Sequence, residues 1–522
     1  MLSIPQAPDV ASAAAVFCQP RGAVTRLARL RGASRQSVYR QAHAVHQAVA
    51  GTRCRRRLAD LRRRLAAAAA AGDALRRRLR RALAPDAERQ AEFAATAQAL
   101  GVSLTAAHAL LGVLLGPAAP SRARLGRLSR QAAGRAAQAL AELDRVSRPR
   151  ARQLAADEIF VGRRPVLVTV EQDSRCLLGS RLAAGRASAT WAEELGPYAA
   201  AEQLARDGGQ GLRKGLERVN AARRRAGQPP IADQEDHFHL LQRGGRAFRA
   251  VYHKARRASR KAEQARQALD RRRRRGLSTA GRGQAVQHWW RRAEAALDRW
   301  IEQERPWRRL QAALRLFSPA GELNSRARAE AEVQAALAQL TGPEWARLRR
   351  RLVGPEAFPF LDRVQAQWAA VPVAAELRTA AVRVEGLRRQ PAAFAGDGPA
   401  ARVRRGVLLA SGLVRALAGP AGATALALVR AVLGGAWRSS SSAEGINSVL
   451  RMQQARQQRM TQGLLDLKRL SWNLHTFGTG PRKGQSPYQR LGLVLPPGTW
   501  WALLKKPPEQ LRQELSALNP PP

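Results

Sequence analysis

The stretch QLAADEIFVGRRPVLVTVEQDSRCLLGSRLA, residues 153–183, decides the fold class predicted for this chain. Its runs of apolar and β-branched residues are interrupted at 162–164 and 172–174 by residues typical of turns. The pattern predicts three adjacent strands. Before residue 150, apolar residues instead recur at the spacing of helices.

The α/β pattern continues to residue 240. Helices are predicted in SATWAEELGPY (188–198) and RKGLERVNAARRRAG (213–227), and strands in AEQLARDGGQGL (201–212) and PIADQEDHFHLL (230–241). From 241 to 430 the pattern is almost entirely helical. Breaks are predicted there at Gly276, Pro306, Pro319, Pro355, Pro391 and Pro420.

The chain is strongly basic. Its 522 residues include 90 Lys and Arg against 39 Asp and Glu, a formal net charge of +51. Such a field attracts polyanions and binds phosphate backbones without sequence preference. Nucleic acid is therefore the first partner to consider, and an anionic membrane is the second. The abundance of Arg and Ala is also typical of GC-rich coding sequence, which reduces the weight of charge alone.

Cysteines and apolar stretches bear on the compartment. Three Cys without a C-x-x-C pair predict neither a disulfide framework nor a structural zinc site, which suits a reducing cytoplasm. No signal-peptide pattern opens the sequence. The most apolar stretch, 406–436, is interrupted by Arg415, Pro420 and Arg430, and it predicts two buried helices rather than a membrane span.

Residues 21–49 predict two helices joined by a short turn, with Gly32 in the turn and Ser34 capping the second helix. The arrangement is that of a DNA-reading helix-turn-helix, although an ordinary helical hairpin has the same pattern. One face of the first helix is expected to consist of Val24, Leu27, Ala28 and Leu30. The predicted DNA-binding residues are Ser34, Arg35, Gln36 and Arg40.

Two further helical regions follow. Residues 53–98 are rich in Arg and Ala with Leu at helical spacing, which favours a packed linker helix over a coiled coil. Residues 101–143 form a second, weaker helix-turn-helix candidate, in which Arg122 and Arg124 would contact DNA; a plain helical packing unit is the alternative.

Three acids stand at positions suited to a joint role. Asp157 falls at the end of the first predicted strand, Asp207 ends a later strand, and Glu444 opens a helix after a serine run. Carboxylates at neighbouring strand ends and one helix can converge, and such hard oxygen ligands suit Mg²⁺ or Mn²⁺. Two such ions can activate one oxygen and stabilise another in phosphodiester chemistry. Taken singly, each acid is typical of a turn or a helix start.

Several motifs in this order resemble the DDE-type insertion-sequence transposases. ADEIFVGRRPVLVTVEQDSRCLLG (156–179) is similar to their first-Asp strands, QLARDGGQGLRKGL (203–216) to their second-Asp signature, and EDHFHLL (235–241) to their D-x-F-H strand. SSSSAEGINSVLR (439–451) is similar to their third-acid helix, and the segment 464–493 to their closing helix and tail.

The resemblance implies a fold and a site. The expected fold is an α/β ribonuclease-H-like core interrupted by a large all-α insertion and preceded by an all-α helix-turn-helix region. Asp157, Asp207 and Glu444 would be the catalytic acids and would hold two Mg²⁺ or Mn²⁺ ions. Asp236, His239, Asn447 and Arg451 would lie near the active site.

The sequence departs from the family at two points. Related transposases often carry an N-terminal zinc module, which three scattered Cys cannot supply. Glu158 follows Asp157 directly, so the ligand could be shared or misassigned, and Asp173 is a second choice. His239 has two open interpretations, a DNA contact or a histidine bonded to backbone. A metal pair of His237 and His239 is disfavoured because a third soft ligand is lacking.

In the helical middle, the arginine run 271–275 and the tryptophans are expected to differ in role. The run could bind a DNA backbone or be a solvated face, with DNA contact favoured. Most tryptophans at helical spacing are expected to be core residues; those considered are Trp289, Trp290, Trp300 and Trp307.

The predicted organisation has seven parts. They are a helix-turn-helix (1–50), a helical linker (51–98), the second helix-turn-helix candidate (99–148), the first part of the catalytic core (149–240), the all-α insertion (241–435), the second part of the core with the Glu helix (436–492) and a tail (493–522).

The resulting functional prediction is a DNA transposase. It would bind the terminal repeats of an element and target DNA as a homo-oligomer, in the cytoplasm on the bacterial nucleoid and without a membrane. It would catalyse metal-dependent strand cleavage and strand transfer. The alternatives are a catalytically inactive transposase-derived DNA-binding protein or regulator, and a nucleoid-type structural protein that uses charge alone.

Overall fold

The structure is a computed structural model of the chain. It describes residues 12, 15–16, 22–49, 52–83, 86–318, 321–389, 397–456 and 459–520. The chain divides into two compact units. The first comprises Met1–Gln90 and His108–Ser121, and the second comprises Ala91–Ala107 and Arg122–Pro522.

The first unit contains two short helices joined by a tight turn, α1 (Ala23–Arg31) and α2 (Arg35–Val49). Gly32 ends α1 in the left-handed region (φ 61°), where its N–H reaches the carbonyl oxygens of Ala28 and Arg29. A residue with a Cβ is strained in this conformation, which explains the glycine. The Ser34 hydroxyl accepts the N–H of Ser37 at 3.1 Å and caps α2.

The packing of this unit differs from the sequence prediction at two places. Leu30 is 84% exposed rather than on the buried face of α1, whereas Ala28 is buried. In α3 (Thr52–Leu83), Leu61, Leu65 and Leu75 are exposed, so the prediction of a packed linker helix is wrong for the described side chains. Arginines flank Leu61 and Leu65 and follow Leu75, and alanines fill most of the positions between Leu65 and Leu75, so this helix has no large buried face among its described side chains.

The second unit contains one five-stranded sheet with the order β3-β2-β1-β4-β5. Its strands are β1 (Gln153–Val161), β2 (Arg164–Glu171), β3 (Leu177–Leu182), β4 (Gln203–Arg206) and β5 (Ala232–Glu235). β1 pairs antiparallel with β2 and parallel with β4. β4 pairs parallel with β5 and β2 antiparallel with β3.

Helices make up most of the chain. Those after α3 are α4 (Ala87–Ala99), α5 (Leu104–Leu115), α6 (Arg122–Ser147), α7 (Ser188–Leu195), α8 (Gln210–Arg225), α9 (His237–Arg274), α10 (Arg282–Ala313), α11 (Arg326–Gln339), α12 (Ala346–Leu352), α13 (Pro359–Ala369), α14 (Ala375–Arg389), α15 (Asp397–Gly434), α16 (Ser441–Arg456), α17 (Gln462–Leu474), α18 (Pro487–Arg490), α19 (Trp500–Lys505) and α20 (Pro508–Leu518).

The high helix content corrects the predicted fold class. The structure is 71% helical with one small mixed sheet, and it does not clearly show an α/β ribonuclease-H-like core with a large helical insertion. The three adjacent strands predicted between 153 and 183 are present as β1, β2 and β3. The two later strands, β4 and β5, are short, with four residues each. Packed helices, rather than the sheet, therefore form the bulk of the molecule.

Three buried clusters hold the second unit together. One packs α6 and the C-terminal helices against one face of the sheet, through residues such as Leu143, Leu470 and Leu511. Another covers the opposite face with α16, through Ile446 and Leu450. The third lies among the helices between α9 and α15 and contains no residue of the sheet.

Helix α6 forms most of the region that was the second helix-turn-helix candidate, and its burial distinguishes the two interpretations. Leu125, Ala132, Leu140 and Leu143 are buried along its length, and it contacts α17, α19 and α20. Arg122 and Arg124 lie exposed in its first turn. A helix buried along one whole side against its own unit corresponds to the alternative interpretation, a helical packing unit.

The predicted breaks in the helical middle have mixed outcomes. Gly276 follows α9 and Pro355 begins a 3-10 turn, as expected, but α10 continues through Pro306. Pro319 and Pro391 lie outside the described residues. Pro420 is inside α15, where Gly419 has non-helical dihedrals (φ 52°, ψ −134°) and kinks the helix.

The two halves of α15 differ in burial. Leu409, Leu413 and Leu417 are exposed, whereas Val429 and Leu433 are buried. The prediction of two buried helices therefore holds only after the kink. By length and composition, 409–434 is the one helix among the described residues that could cross a membrane, and core helices of soluble proteins meet the same criterion.

Candidate functional site

The first two predicted acids lie on neighbouring parallel strands. Asp157 is in the middle of β1, at the residue after the last one that pairs with β4, and Asp207 directly follows β4. Since neighbouring strands are about 4.8 Å apart, this register brings the two carboxylates to the same place on the sheet. The prediction that Asp157 ends its strand is wrong, because β1 continues to Val161, paired with β2. Asp157 does lie where the pairing between β1 and β4 ends.

The Asp157 carboxylate is held by two donors. The backbone N–H of Glu158 donates to Oδ1 at 2.8 Å, and the side-chain amide of Asn447 donates to Oδ2 at 2.6 Å. Burial raises the pKa of Asp157 to about 6, the Glu158 N–H opposes this, and the negative charges of Asp207 and Glu444 raise it further. The three acids are therefore close enough to interact electrostatically.

Glu444 and two other predicted residues lie on one face of α16. Glu444 is in the first turn, and Asn447 and Arg451 follow at i+3 and i+7, the spacing of a single helical face. A Glu444 carboxylate oxygen lies 3.1 Å from His239 Nε2, which comes from the first turn of α9. Arg451 is exposed. Helix α16 thus brings Asn447 to β1 and Glu444 to α9.

Asp236 has a structural role that the strand prediction missed. β5 ends at Glu235, and Asp236 caps α9, with its side chain accepting the N–H groups of Phe238 and His239. Its second oxygen accepts the N–H of Ser440 at 2.9 Å, and the Ser440 hydroxyl also contacts it. Asp236 therefore connects the start of α9 to the serine run before α16.

The two histidines point apart because they are helical. Residues at i and i+2 of a helix do not share a face, unlike those of a strand. His237 is buried, and its Nε2 lies 2.6 Å from the carbonyl oxygen of Ala357. Burial lowers its pKa to about 4, so it is neutral at physiological pH. Only His239 faces the candidate site.

Asp173, the second choice, lies elsewhere. It is in the turn after Glu171, whose partner on β1 is Leu154, near the start of that strand. Its Oδ1 accepts the indole N–H of Trp437 at 2.5 Å. Glu158 also points away to its own partner, because it forms a 2.6 Å ion pair with Arg186. Asp157 is therefore the residue of its region that faces Asp207 and Glu444.

The three acids and their neighbours are the candidate ligands for a metal ion. Over the described ranges, no group of three His, Cys, Asp or Glu side chains could hold one as placed. Asp157 and Glu444 are instead bonded to Asn447 and His239. The chemistry of the three acids still fits a hard divalent cation, because it would neutralise their mutual repulsion.

The arginines around Asp207 were missed by the sequence analysis. Arg351 donates to the Gly208 carbonyl oxygen at 3.0 Å and to Glu235, and Arg243 also donates to Glu235. A short signal was present in ARLRRRL (346–352), where arginines recur at helical spacing. Nothing in the local sequence indicates that this helix faces β4.

The arginine run and the tryptophans of the helical middle differ in their exposure. The arginine run 271–275 ends α9 and is largely exposed, consistent with a solvated face. Trp307 is buried and its ring centroid lies 5.6 Å from that of Trp345. Trp290 is 42% exposed, and Trp289 stacks with Lys261 and Arg292. The core expectation is met for Trp307 and not for Trp290.

The first-unit residues predicted to bind DNA lie on one exposed surface. Arg35, Gln36 and Arg40 are exposed in the first turns of α2, and buried Val38 and Ala42 face inward. Ser34 uses its hydroxyl to cap α2, so its role is structural as well.

We expect the double variant Arg35→Ala/Arg40→Ala to bind duplex DNA about tenfold more weakly, with a salt-dependence slope reduced by about two. Each lost phosphate contact removes roughly one released counterion. The measurement is fluorescence anisotropy over a NaCl series. Arg77→Ala/Arg78→Ala, on exposed α3, is the charge-matched control, and an equal loss in both variants would contradict a specific role for α2.

Comparison with known proteins identifies no family. No protein-family model matches the chain, and no curated protein matches it.

Proposed function

We propose that the chain is a DNA transposase of the DDE type, which binds element ends and catalyses metal-dependent strand cleavage and strand transfer. The observation that carries the proposal is that the fold brings three acids from distant parts of the sequence toward one region of the sheet. Asp157 and Asp207 share one position on parallel strands, and α16 brings Glu444 near them through the Asn447–Asp157 hydrogen bond. The motif resemblance supports it independently.

The residues of this site would have distinct tasks. Asp157, Asp207 and Glu444 would hold two Mg²⁺ or Mn²⁺ ions, which supply Lewis-acid activation of the attacking and leaving oxygens. Asn447 orients the Asp157 carboxylate, and Asp236 fixes the relative position of α9 and the segment before α16. His239 orients Glu444.

The proposal extends to partners and location. Double-stranded DNA, both the terminal repeats and the target, suits the net charge of +51 and the exposed arginines of α2. Pairing two ends calls for a homo-oligomer on DNA. We propose that the protein lies in the cytoplasm, associated with the nucleoid and not with a membrane.

Metal-dependent cleavage is the direct test. End-labelled DNA carrying the element's terminal sequence is incubated with the full chain in MgCl₂, MnCl₂, CaCl₂ or EDTA. We expect cleavage in Mg²⁺ or Mn²⁺ and none in EDTA, and we expect each of Asp157→Ala, Asp207→Ala and Glu444→Ala to lose it. Undiminished cleavage by all three variants would contradict the assignment.

A second function is favoured by one observation. The Asp157 carboxylate accepts a hydrogen bond from Asn447, and Glu444 pairs with His239, so two of the three acids have protein partners, as a transposase-derived DNA-binding protein with no catalysis would allow. End-specific binding without cleavage at any Mg²⁺ or Mn²⁺ concentration would support this alternative.

A further inference from the structure

An arginine-lined cleft opens beside Asp207. It has a volume of about 540 Å³ and lies between the ends of β4 and β5, the first turns of α8, helix α9 and helix α12. Its basic residues are Arg206, Arg213, Arg243, Arg347, Arg350 and Arg351. Two glutamates, Glu235 and Glu356, also line it. Asp233 and Glu217, outside the lining, pair with Arg206 and Arg213, so the six arginines exceed these four acids by two charges.

Ion pairing within the cleft is incomplete. Glu235, with 3% of its side chain exposed, is shared by Arg206, Arg243 and Arg351 at 3.2–3.5 Å. Arg206 is itself 1% exposed, and although Asp233 pairs with its Nη2, its Nε has no hydrogen-bond partner in the described part of the chain. One buried carboxylate thus faces three guanidinium groups, an arrangement that an added anion stabilises.

Helix α12 adds a row of arginines at the rim. Arg347, Arg350 and Arg351 follow the i, i+3, i+4 spacing of one face, while Leu348 and Leu352 are buried. Arg347 and Arg350 are exposed and form no ion pair within the described ranges. Their charges are therefore available to a ligand.

Gly208 keeps the floor of the cleft open. A Cβ at this position would lie 2.5 Å from Nη2 of Arg351 and 3.0 Å from Nη2 of Arg243. A side chain there would push both guanidinium groups out of place. The glycine after Asp207 thus lets two arginines approach the backbone next to a candidate catalytic acid.

We propose that this arginine cleft binds phosphate groups and that, resting on the proposed function, these belong to the nucleic-acid backbone passing Asp207. Guanidinium groups bind phosphate oxygens in a planar, bidentate geometry that suits a phosphodiester. Free phosphate or a nucleotide has the same chemistry, so the experiment separates the two sources.

The test compares Arg347→Ala/Arg350→Ala with the native chain in EDTA, so that cleavage does not intervene. Binding of a fluorescein-labelled 20-base-pair duplex is measured by anisotropy over a NaCl series. We expect a Kd about tenfold higher at 150 mM NaCl and a slope lower by about two, since each phosphate contact contributes roughly 0.9. Both side chains are exposed and form no ion pair with other described residues, so the variant should fold.

The matched control is Arg224→Ala/Arg225→Ala, which removes two exposed arginines at the far end of α8, about 20 Å from its start. We expect its slope to stay near that of the native chain. Equal slopes for the native chain and Arg347→Ala/Arg350→Ala would overturn the proposal. Equal losses in both double variants would overturn it as well, because the effect would then be one of total charge.

A calorimetric titration with sodium phosphate and with ATP distinguishes the sources. Tight binding of either one that requires Arg347 and Arg350, with an unchanged DNA slope, would overturn the nucleic-acid assignment. The proposed function fails separately, through absent metal-dependent cleavage, and a reduced DNA slope would then still support the cleft as a phosphate site.

Discussion

Replacing Asp157 with Asn is expected to stabilise the protein by about 2 kcal/mol at pH 7.5 while reducing metal-dependent cleavage roughly 10³-fold. The carboxylate is held in a site where burial and two neighbouring acids disfavour its charge. A neutral amide removes that penalty. It also removes a charge on which the proposed metal site depends.

The local hydrogen bonds can adapt to the amide. Asn447 Oδ1 is buried and has no hydrogen-bond partner among the described residues, and it can accept from an amide at 157 if the Asn447 side chain turns over. The bond from the Glu158 N–H can be retained by the remaining oxygen. The turned Asn447 side chain then places its Nδ2 where Oδ1 had no described partner, and this cost offsets part of the gain from removing the charge.

The stabilisation has a defined pH dependence. The pKa of Asp157 is raised from 3.8 to about 6, so below pH 3.8 both the folded and unfolded states are protonated and no penalty exists. The free energy of unfolding of the native chain falls as pH rises from about 4 to 6, and the full penalty remains above this window.

Urea unfolding in EDTA at pH 4.0, 5.0, 6.0 and 7.5 measures the effect. The advantage of Asp157→Asn should be absent at pH 4.0 and complete at pH 7.5. Asp173→Asn, in a turn away from the three acids, is the control and should show no such growth. A constant difference between native and Asp157→Asn proteins at all four pH values would contradict the account.

Replacing Arg469 with Met is expected to destabilise the second unit by about 3 kcal/mol. Arg469, on α17, has 7% of its side chain exposed and forms a bidentate pair with Asp144 of α6. Its Nε also donates to the carbonyl oxygen of Leu177 on β3 at 2.9 Å. Among the described residues, the substitution leaves Asp144 with Arg148 as its one ion-pair partner. It also removes one of the two donors to the Leu177 carbonyl oxygen, which keeps the Asn473 side-chain amide at 2.8 Å.

Thermal and urea unfolding at pH 7.5 measure this loss. Arg469→Lys keeps the positive charge but cannot form the bidentate pair with Asp144, so we expect an intermediate loss of stability. The double variant Asp144→Leu/Arg469→Met should recover part of the stability, because it removes both charges of the most buried pair, while Arg148, which also loses Asp144, keeps 25% of its side chain exposed to water. A double variant as unstable as the sum of its single variants would show that the pair itself is unimportant.

Local patterns predicted several elements well. The turn chemistry of Gly32 and Ser34 and the apolar and β-branched runs of β1, β2 and β3 appear in the structure at the expected positions. The failures involve residues whose local pattern suits two states. DHFH was predicted as a strand, but the side chain of Asp236 caps a helix there. Leu30 has the spacing of a core residue but is exposed.

The sequence by itself determined the high positive charge, the two N-terminal helices and their turn, and the strands β1, β2 and β3, because these depend on composition and on contacts between residues near in the chain. Only the tertiary structure decided that Asn447 bonds to Asp157 across 290 positions, and that α12 brings its arginines to β4. It also decided the overall balance of helix and sheet, against the predicted class. Such contacts join distant segments, and the packing free energy that selects them is not encoded in any local period.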